Sequence, residues 1–443
     1  MVEPRSPIKT VKFVDEYCLW YQNLFSDVRN FEAFKYLHIG CISDLKRKSL
    51  PEIAKIVGLD NYQGLHHFLT TLSWDVEELR TLRLELILEV LKGRPIILIE
   101  TPPLRTGTYE TGDKKKGNTT DYVKRQYIGN LGKVENGVVA VTAYGVFCGM
   151  TLPLLFEVYK PREKLKPGDK YLTKPQIGAM LIRKLQSMGF KFNLVLADSL
   201  YGESGTNFIS VLDELDLNYL VAIRSNHSVD LLKGQYTQYL KWQKFKRVFS
   251  DLSSENRFIR EIIHGQRGKH RYWQITTDIE NLPGNSTWYV MSKYPDITPR
   301  EVGNFYGLRT WVEYGLKQSK NELGWADYRF TRYEDIERWW EIVCSAYLMV
   351  SLHSESLRPS PPPQSTLASH PCWDNGKGWK NILNNLRLVI QPFILFNLIY
   401  PWLTVFPIPQ LSLGFSKLQS IVYRLTSPIF IFLTHPEFYF SSA

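Results

Sequence analysis

The 443-residue sequence predicts a mixed α/β protein, with an all-helical N-terminal domain ahead of a mixed sheet and a β-rich subdomain inserted into that sheet. Three observations carry this expectation. Residues from about Lys9 to Lys92 keep helical spacing with no sustained period-two alternation. From Arg94 onward, short β-branched runs alternate with a helical stretch, the texture of a sheet with crossover connections. Between Ser225 and Ser292 the runs RFIREIIHG, HRYWQITTD and STWYVMSK alternate in polarity and are separated by glycine and asparagine, as hairpins are. The boundaries that follow are 1–92 for the helical N-terminal domain, 93–224 for the first part of the core and 225–297 for the insert. Residues 298–356 form the second part of the core, and 357–443 a proline-rich linker with a C-terminal tail.

Taken in order, SLPEIAKIVGLDNYQGLHHFL offers a capping box at Ser49 and Glu52, a short helix, a stop at Gly58 and a second helix from about Asp60. Such a pair is either a helix-turn-helix with a DNA-reading second member or an ordinary helical hairpin. Pro95 to Glu100 is a buried strand delivering a carboxylate at its tip. Val138–Val146 and Thr151–Tyr159 make a strand pair across Cys-Gly, and Thr173–Phe190 is a helix with Met180, Leu181 and Leu185 on its apolar side. FNLVLADSLYGE is a second buried strand ending at Asp198. A helix near Phe208–Leu215 and the strand Tyr219–Ile223 follow.

Inside the insert, KWQKFKRVF (Lys241–Phe249) suits phosphate contacts and base stacking, and equally a half-exposed amphipathic element. RWWEIVCSAYLMVSLH continues as helix with Trp339, Trp340, Ile342 and Val343 packed. RPSPPPQSTLASHP (Arg358–Pro371) is a linker, and a helix at Trp379–Ile390 precedes a proline-broken tail.

Composition narrows the function. A net charge of +10 with pI near 9.1 favours a polyanionic partner, of which nucleic acid is the commonest. Five cysteines without a CxxC pair argue against a disulfide framework or a cysteine zinc site and fit a reducing compartment. There is no HExxH, and the adjacent His66 and His67 read as polar surface. The N-terminus lacks the apolar core of a signal peptide. LVIQPFILFNLIYPWLTVF, from Leu388, is interrupted by Gln391, Pro392, Asn397 and Pro401, so it reads as a packed tail rather than a membrane anchor.

The stretch that organises the rest is TPREVGNFYGLRTWVEYGLKQSKNELG, Thr298 to Gly324. Thr298 and Glu301 form a capping box with Pro299 at the first helical position. At ~100° per residue, Tyr306, Arg309, Glu313 and Lys320 fall at about 0, −60, −20 and −40°, a single face roughly 20 Å long. A phenol, a guanidinium, a carboxylate and an ammonium in one row are either a solvated charged face or a binding surface. The spacing resembles the signature of cut-and-paste bacterial insertion-sequence transposases, Tyr-(2)-Arg-(3)-Glu-(6)-Lys, matched here at all four positions.

That resemblance implies a ribonuclease-H-like fold in which Glu313 is the third carboxylate of a DDE metal site, while Tyr306, Arg309 and Lys320 contact transposon-end DNA. Asp198 is the second acid: it closes an apolar strand, and LADSLYGES resembles the family's second-Asp motif, although a strand-end Asp can also merely cap a turn. The first acid is displaced. Relatives place Asp directly after the first strand, in a form like Ile-Asp-Glu-Thr-Gly-Asp-Lys-Lys-Lys-Gly. Here Glu100 ends the strand, TPPLRTGTY follows, and only then come Glu110, Thr111, Gly112, Asp113 and three lysines. Anchored on ETGDKKKG, Tyr109 stands at the Asp position; anchored on the strand, Glu100 does. Glu100 or Asp113 is left to complete the catalytic set, with Asp198, Glu313 and Glu100 as the metal ligands.

Beyond it, Lys114, Lys115, Lys116, Lys124 and Arg125 lie in a basic, glycine-rich segment that matches the family's Arg-Gln-Tyr-x-Gly element and can neutralise phosphates. Trp288 is the candidate for stacking on a flipped base, or else is core. The resemblance implies two Mg²⁺ ions, with Mn²⁺ as substitute, and double-stranded DNA as partner, both transposon ends and target. It further implies a homodimer on DNA and a cytoplasmic, nucleoid-associated bacterial protein with no membrane partner. The expected function is end binding, metal-dependent end cleavage and strand transfer. The displaced first acid supports an alternative, a relic that binds ends without cutting them; a structure-specific nuclease explains the acids but not the four-residue spacing.

Overall fold

The computed structural model describes residues 5–101, 112–115, 117–128, 133–248, 254–354 and 366–425. They fall into two units: Met1–Leu86, Ser319–Phe330 and Glu334–Ala443 make one, and Ile87–Gln318 with Thr331–Tyr333 the other.

The chain starts with helices α1 (Lys12–Leu19), α2 (Val28–Ile42), α3 (Leu50–Ile56), α4 (Gln63–Thr70) and α5 (Val76–Leu91). Ser49 stands at the N-cap of α3 but makes no side-chain cap bond, so the capping box expected there is not formed. Gly58 turns the chain with φ +78°, and α4 starts three residues later than Asp60, because Asn61 accepts the Gln63 N–H (3.0 Å).

The sheet is built from β1 (Ile96–Thr101), β2 (Gly112–Lys114), β3 (Lys124–Ile128), β4 (Lys133–Phe147) and β5 (Met150–Val158). After α6 (Lys174–Ser187) come β6 (Phe192–Ala197), α7 (Ser199–Gly202), α8 (Ser210–Glu214) and β7 (Tyr219–Ile223). β8 (Thr237–Tyr239), β9 (Gln243–Val248), β10 (Ser254–His264), β11 (Arg271–Thr276) and β12 (Trp288–Lys293) complete it. The strand order is β2-β4-β1-β6-β7-β12-β11-β10-β8, with β3 and β5 also on β4 and β9 on β10. β1, β6 and β7 run parallel and the other pairings are antiparallel. This mixed α/β sheet is consistent with a ribonuclease-H-like core. β12 pairs with β7, so the strands read as an insert prolong the core sheet.

Local chemistry explains the joints. Cys148 and Gly149 both take positive φ (47° and 76°), the two-residue hairpin geometry that matches the twist of β4 and β5. Thr173 and Gln176 close a capping box at the start of α6. The buried stripe of α6 is Ile177, Leu181 and Leu185, at helical spacing of four; Met180 falls outside it and is 37% exposed, contrary to its expected place inside.

α9 (Pro299–Asn321) follows, and its capping box is complete: the Thr298 N–H and hydroxyl donate to Glu301 Oε2 (2.9 and 2.7 Å), and the Glu301 N–H donates to the Thr298 hydroxyl (3.3 Å). Beneath α9 lies a core of Ile99, Tyr144, Val146, Leu194, Leu196, Leu220 and Ala222 from the sheet, met by Val302, Tyr306 and Leu316 from the helix. Burying each such side chain stabilises the pair by about 2 kcal/mol, which fixes how α9 lies across β1 and β6.

In the other unit, α10 (Tyr333–Ser351) buries Trp339 and Trp340, whose indole N–H groups donate to Gly324 O (3.0 Å) and Trp325 O (3.3 Å). Arg80 and Arg83 of α5 meet Glu341 of α10 in a buried ion cluster. The expected linker lies largely outside the described residues, which resume at Thr366. α11 (Trp379–Val405) then runs unbroken through Pro392 and Pro401, where the sequence predicted an end near Ile390. α12 (Pro409–Leu425) packs back on it through Phe415 against Phe396 (5.7 Å), and Leu395, Tyr400, Trp402 and Val405 of α11 stay exposed. By length and composition α11 is long and apolar enough to cross a membrane.

Candidate active site

β6 delivers its acid by alternation. Leu194 and Leu196 belong to the core row under α9, and the extended backbone at Asp198 continues that row by one more residue. The carboxylate also caps α7, Oδ1 accepting the Leu200 N–H (2.8 Å), so the turn-capping role is real and leaves the other oxygen for further work. Asp198 is only 4% exposed. Burial pushes its carboxyl up to about 7, against the pull of the Arg309 guanidinium, the Leu200 and Tyr201 N–H groups and Lys174.

α9 brings three groups of its predicted face to this point. Tyr306 is 4% exposed, packed edge-on to Trp288 with ring centres 5.5 Å apart. The Arg309 guanidinium lies 5.6 Å from the Tyr306 ring centre and 3.4 Å from Glu313 Oε1. The side chains of Arg309 and Glu313 are 12% and 18% exposed, so this is no solvated charged face. Arg309 acts electrostatically on both Asp198 and Glu313, and of the two it is paired with Glu313. Burial also raises the Glu313 carboxyl, opposed by Arg309 and Arg247. Among the described residues the buried Arg309 Nε finds no acceptor, an orphan donor suited to an anionic oxygen. Lys320, further along α9, is half-buried and falls in the other unit.

Trp288 is half-buried at the start of β12 and is held by cations: the Arg257 guanidinium is 4.1 Å and that of Arg247 5.4 Å from its ring centre. Glu255 pairs with both arginines. Arg247 Nη2 donates to Gly307 O (3.2 Å) and to the Thr310 hydroxyl (3.3 Å) on α9. The run KWQKFKRVF thus splits by face: Phe245 and Arg247 are buried against α9, and Lys244 and Lys246 face outward. The fit needs glycine on the helix, since a Cβ at Gly303 would meet the Phe245 ring at 2.3 Å and one at Gly307 would meet Arg247 Nε at 2.9 Å. Sequence reasoning placed Arg247 only within a run suited to phosphate contacts and passed over Arg257; the pair of glycines four apart was the available signal of a close approach.

The first-acid region is defined by register. β1 pairs with β6 through Ile99 and Leu196, so the row of Asp198 is continued on β1 by Thr101; Glu100 holds the alternate position, with Ile96 and Leu98. On β4, Thr101 partners Thr142 and Gly112 partners Val139. Val139 O accepts the Tyr159 N–H on the β5 edge, so β2 lies on the edge that carries β1. Eleven positions separate Thr101 from Gly112 where three separate Thr142 from Val139. The chain from β1 to β2 is therefore eight residues longer than the same stretch of β4 requires. Asp113 is buried and partners Val138, about 13 Å along β4 from Thr142 at ~3.3 Å per residue.

The cations beyond it are spread out. Lys114 pairs with Glu135 (3.3 Å) and Lys124 with Glu163 (2.5 Å), Lys115 is partly buried near Asp113, and Arg125 is exposed. Lys116 lies outside the described residues.

Divalent ions of the Mg²⁺ class want hard oxygen donors, and carboxylates, one buried and one half-buried here, are such donors. Asp198 and Glu313 fit that demand. Among the described residues no group of three acidic, histidine or cysteine side chains comes together, so the third donor is missing from this set.

Two family models match the chain: one described as DDE superfamily endonuclease over residues 23–240, the other as Transposase DDE domain over residues 173–349. A protein of Microchaete diplosiphon named probable transposase for insertion sequence element IS701 is 80% identical over 337 residues, which is 76% of this chain and 87% of the relative.

Proposed function

The chain belongs to the DDE transposases of insertion sequences, and on that premise we propose that it binds the terminal inverted repeats of its element, cleaves DNA at both ends and joins the freed 3′-hydroxyls to target DNA. The observation that supports this best is the pairing of Arg309, whose Nε is an orphan donor, with Glu313 on α9, in electrostatic reach of the buried strand-tip Asp198.

Enzymes of the DDE endonuclease superfamily generally use divalent metal ions. In this reading Asp198 and Glu313 hold them, two Mg²⁺ ions that Mn²⁺ can replace. When bound, such a pair lowers the pKa of the attacking water or 3′-hydroxyl and takes charge from the leaving oxygen. The chain's own residues position the phosphodiester. Arg309 turns Nε toward a phosphate oxygen; Tyr306 packs beneath it, and Lys320 contacts the backbone further on. Trp288, held by Arg257, offers its ring to a flipped base. Lys114, Lys115, Lys116, Lys124 and Arg125 contact phosphates nearer the first strand. Both ends must be processed together, so the working form is a homodimer on DNA.

The eight extra residues between β1 and β2 favour a second reading, an end-binding protein with impaired cleavage. Glu100 sits in the alternate row and Asp113 far along β4, so neither replaces a carboxylate at position 101 without local rearrangement. Incubation with a duplex carrying the element's ends and Mg²⁺ or Mn²⁺, beside Glu313→Gln, separates the two. Metal-dependent nicks lost in the variant support the transposase; end binding without nicks supports the relic.

A further inference from the structure

Between β5 and α6 the chain reads YKPREKLKPGDKYLTK, Tyr159 to Lys174, with six cations, Lys160, Arg162, Lys164, Lys166, Lys170 and Lys174, against Glu163 and Asp169. A charged run is ordinarily a solvated loop without fixed shape, but this one is built. Asp169 accepts from the Lys166 N–H (2.8 Å), Lys160 Nζ (2.6 Å) and the Tyr122 hydroxyl (2.9 Å), which ties the loop closed. Asp121 takes Lys166 Nζ (2.6 Å), and Glu163 takes Lys124. The acids are thus committed to holding the loop.

Tyrosine rings hold four of the six cations. The Arg162 guanidinium lies 4.4 Å over Tyr171, Lys174 Nζ 5.2 Å over Tyr159, and Lys160 and Lys166 at 5.2 and 5.6 Å over Tyr122. Arg162, Lys164 and Lys170 are exposed at its surface. The loop has one end at β3, through Lys124 and Glu163, and the other at Lys174, whose charge acts on Asp198. It therefore joins the basic strand to the candidate active site.

We infer that the Tyr159–Lys174 loop is a preformed phosphate-binding track for DNA, in which Arg162, Lys164 and Lys170 contact the backbone of a duplex whose next phosphates reach Asp198. This rests on the transposase reading and adds a surface to it. Arg162, fixed on the Tyr171 face, loses little freedom on binding, and each phosphate that Arg162, Lys164 and Lys170 neutralise releases counterions.

The test is fluorescence anisotropy of the full-length chain over a salt series, with one duplex carrying the element's ends and one unrelated duplex, both in EDTA so that no cleavage intervenes. The triple variant Arg162→Glu, Lys164→Glu, Lys170→Glu is compared with the parent. A control triple, Lys191→Glu, Lys233→Glu, Arg300→Glu, makes the same charge change at exposed positions elsewhere. Loss of three phosphate contacts makes the slope of log K against log salt shallower by about 2.7, and at 0.15 M salt affinity falls roughly 10- to 100-fold, with the control close to the parent. A loss confined to the end duplex assigns the track to transposon ends; an equal loss on both assigns it to any duplex, target included. Parent-like affinity and slope in the loop variant, or an equal loss in the control, overturns the inference while leaving the transposase reading intact. Failure of the parent to bind either duplex overturns both.

Discussion

β6 and β1 are neighbouring parallel strands with the same apolar text and the same task, yet their tips differ. β6 ends on time: Leu194 and Leu196 pack under α9, Asp198 follows in the same row, and α7 begins at once, so the carboxylate is held by its own cap. β1 reaches the matching position at Thr101, and β2 pairs with β4 from Gly112 in a register eight residues out of step with it. The comparison teaches that a catalytic acid is a property of register as much as of residue type. Glu100 and Asp113 are both carboxylates near the gap, and neither occupies the position that alternation defines.

Glu313→Gln or Asp198→Asn lowers Mn²⁺-dependent end cleavage by at least about 10³-fold, because each removes a charged oxygen donor from a pair that has no spare. Anisotropy with the end duplex in EDTA stays within about 3-fold of the parent. Glu100→Gln and Asp113→Asn, made in parallel, change cleavage by less than about 3-fold; a loss of 10²-fold or more in either would identify it as the working first acid.

Next comes stability against pH. Burial holds the Asp198 carboxyl protonated up to about 7 in the folded chain, while in the unfolded chain it ionises near 4. Between those values the native state carries the extra proton, so stability falls as pH rises from about 4 to about 7, by up to about 4 kcal/mol. Asp198→Asn removes the penalty: its melting temperature exceeds the parent's at pH 8 and equals it near pH 4. Equal melting temperatures at pH 8 would mean the carboxylate is better compensated than its burial implies.

A smaller effect probes the support behind Glu313. Gly303→Ala places a Cβ against the Phe245 ring and lowers stability by about 1–3 kcal/mol in urea unfolding. A stabilised variant, as helix propensity alone would give, would show that β9 does not lie against α9.

The sequence was legible where structure is local. The capping box at Thr298 and Glu301 set the start of α9, the 3.6-residue period set its face, and the apolar run FNLVLA set the tip at Asp198. It was misleading where tertiary contacts overrule local rules. Ser49 does not cap α3, Met180 turns outward, and α11 continues through two prolines because α12 packs on it. The arginines around Trp288 come from β9 and β10, 31 and more residues away in sequence, and no spacing rule joins them. Register was beyond reach as well: the sequence leaves Glu100 and Asp113 both open as the first acid, and only the pairing of β4 with β1 and β2 counts the extra residues.

That count defines the decisive measurement. Deleting residues 102–109 together with Thr101→Asp joins β1 to β2 in one register and seats a carboxylate beside Asp198 on the α9 side. Cleavage of the end duplex in Mn²⁺ is then compared among the parent, the deletion with Thr101 kept, and the full repair. With the first acid at position 101, the full repair gains at least about 10²-fold over both others, and Glu313→Gln abolishes the gain. A parent that cleaves as fast as the repaired chain, or a folded repaired chain that cleaves no faster than the deletion alone, would contradict the claim that the first acid belongs at position 101.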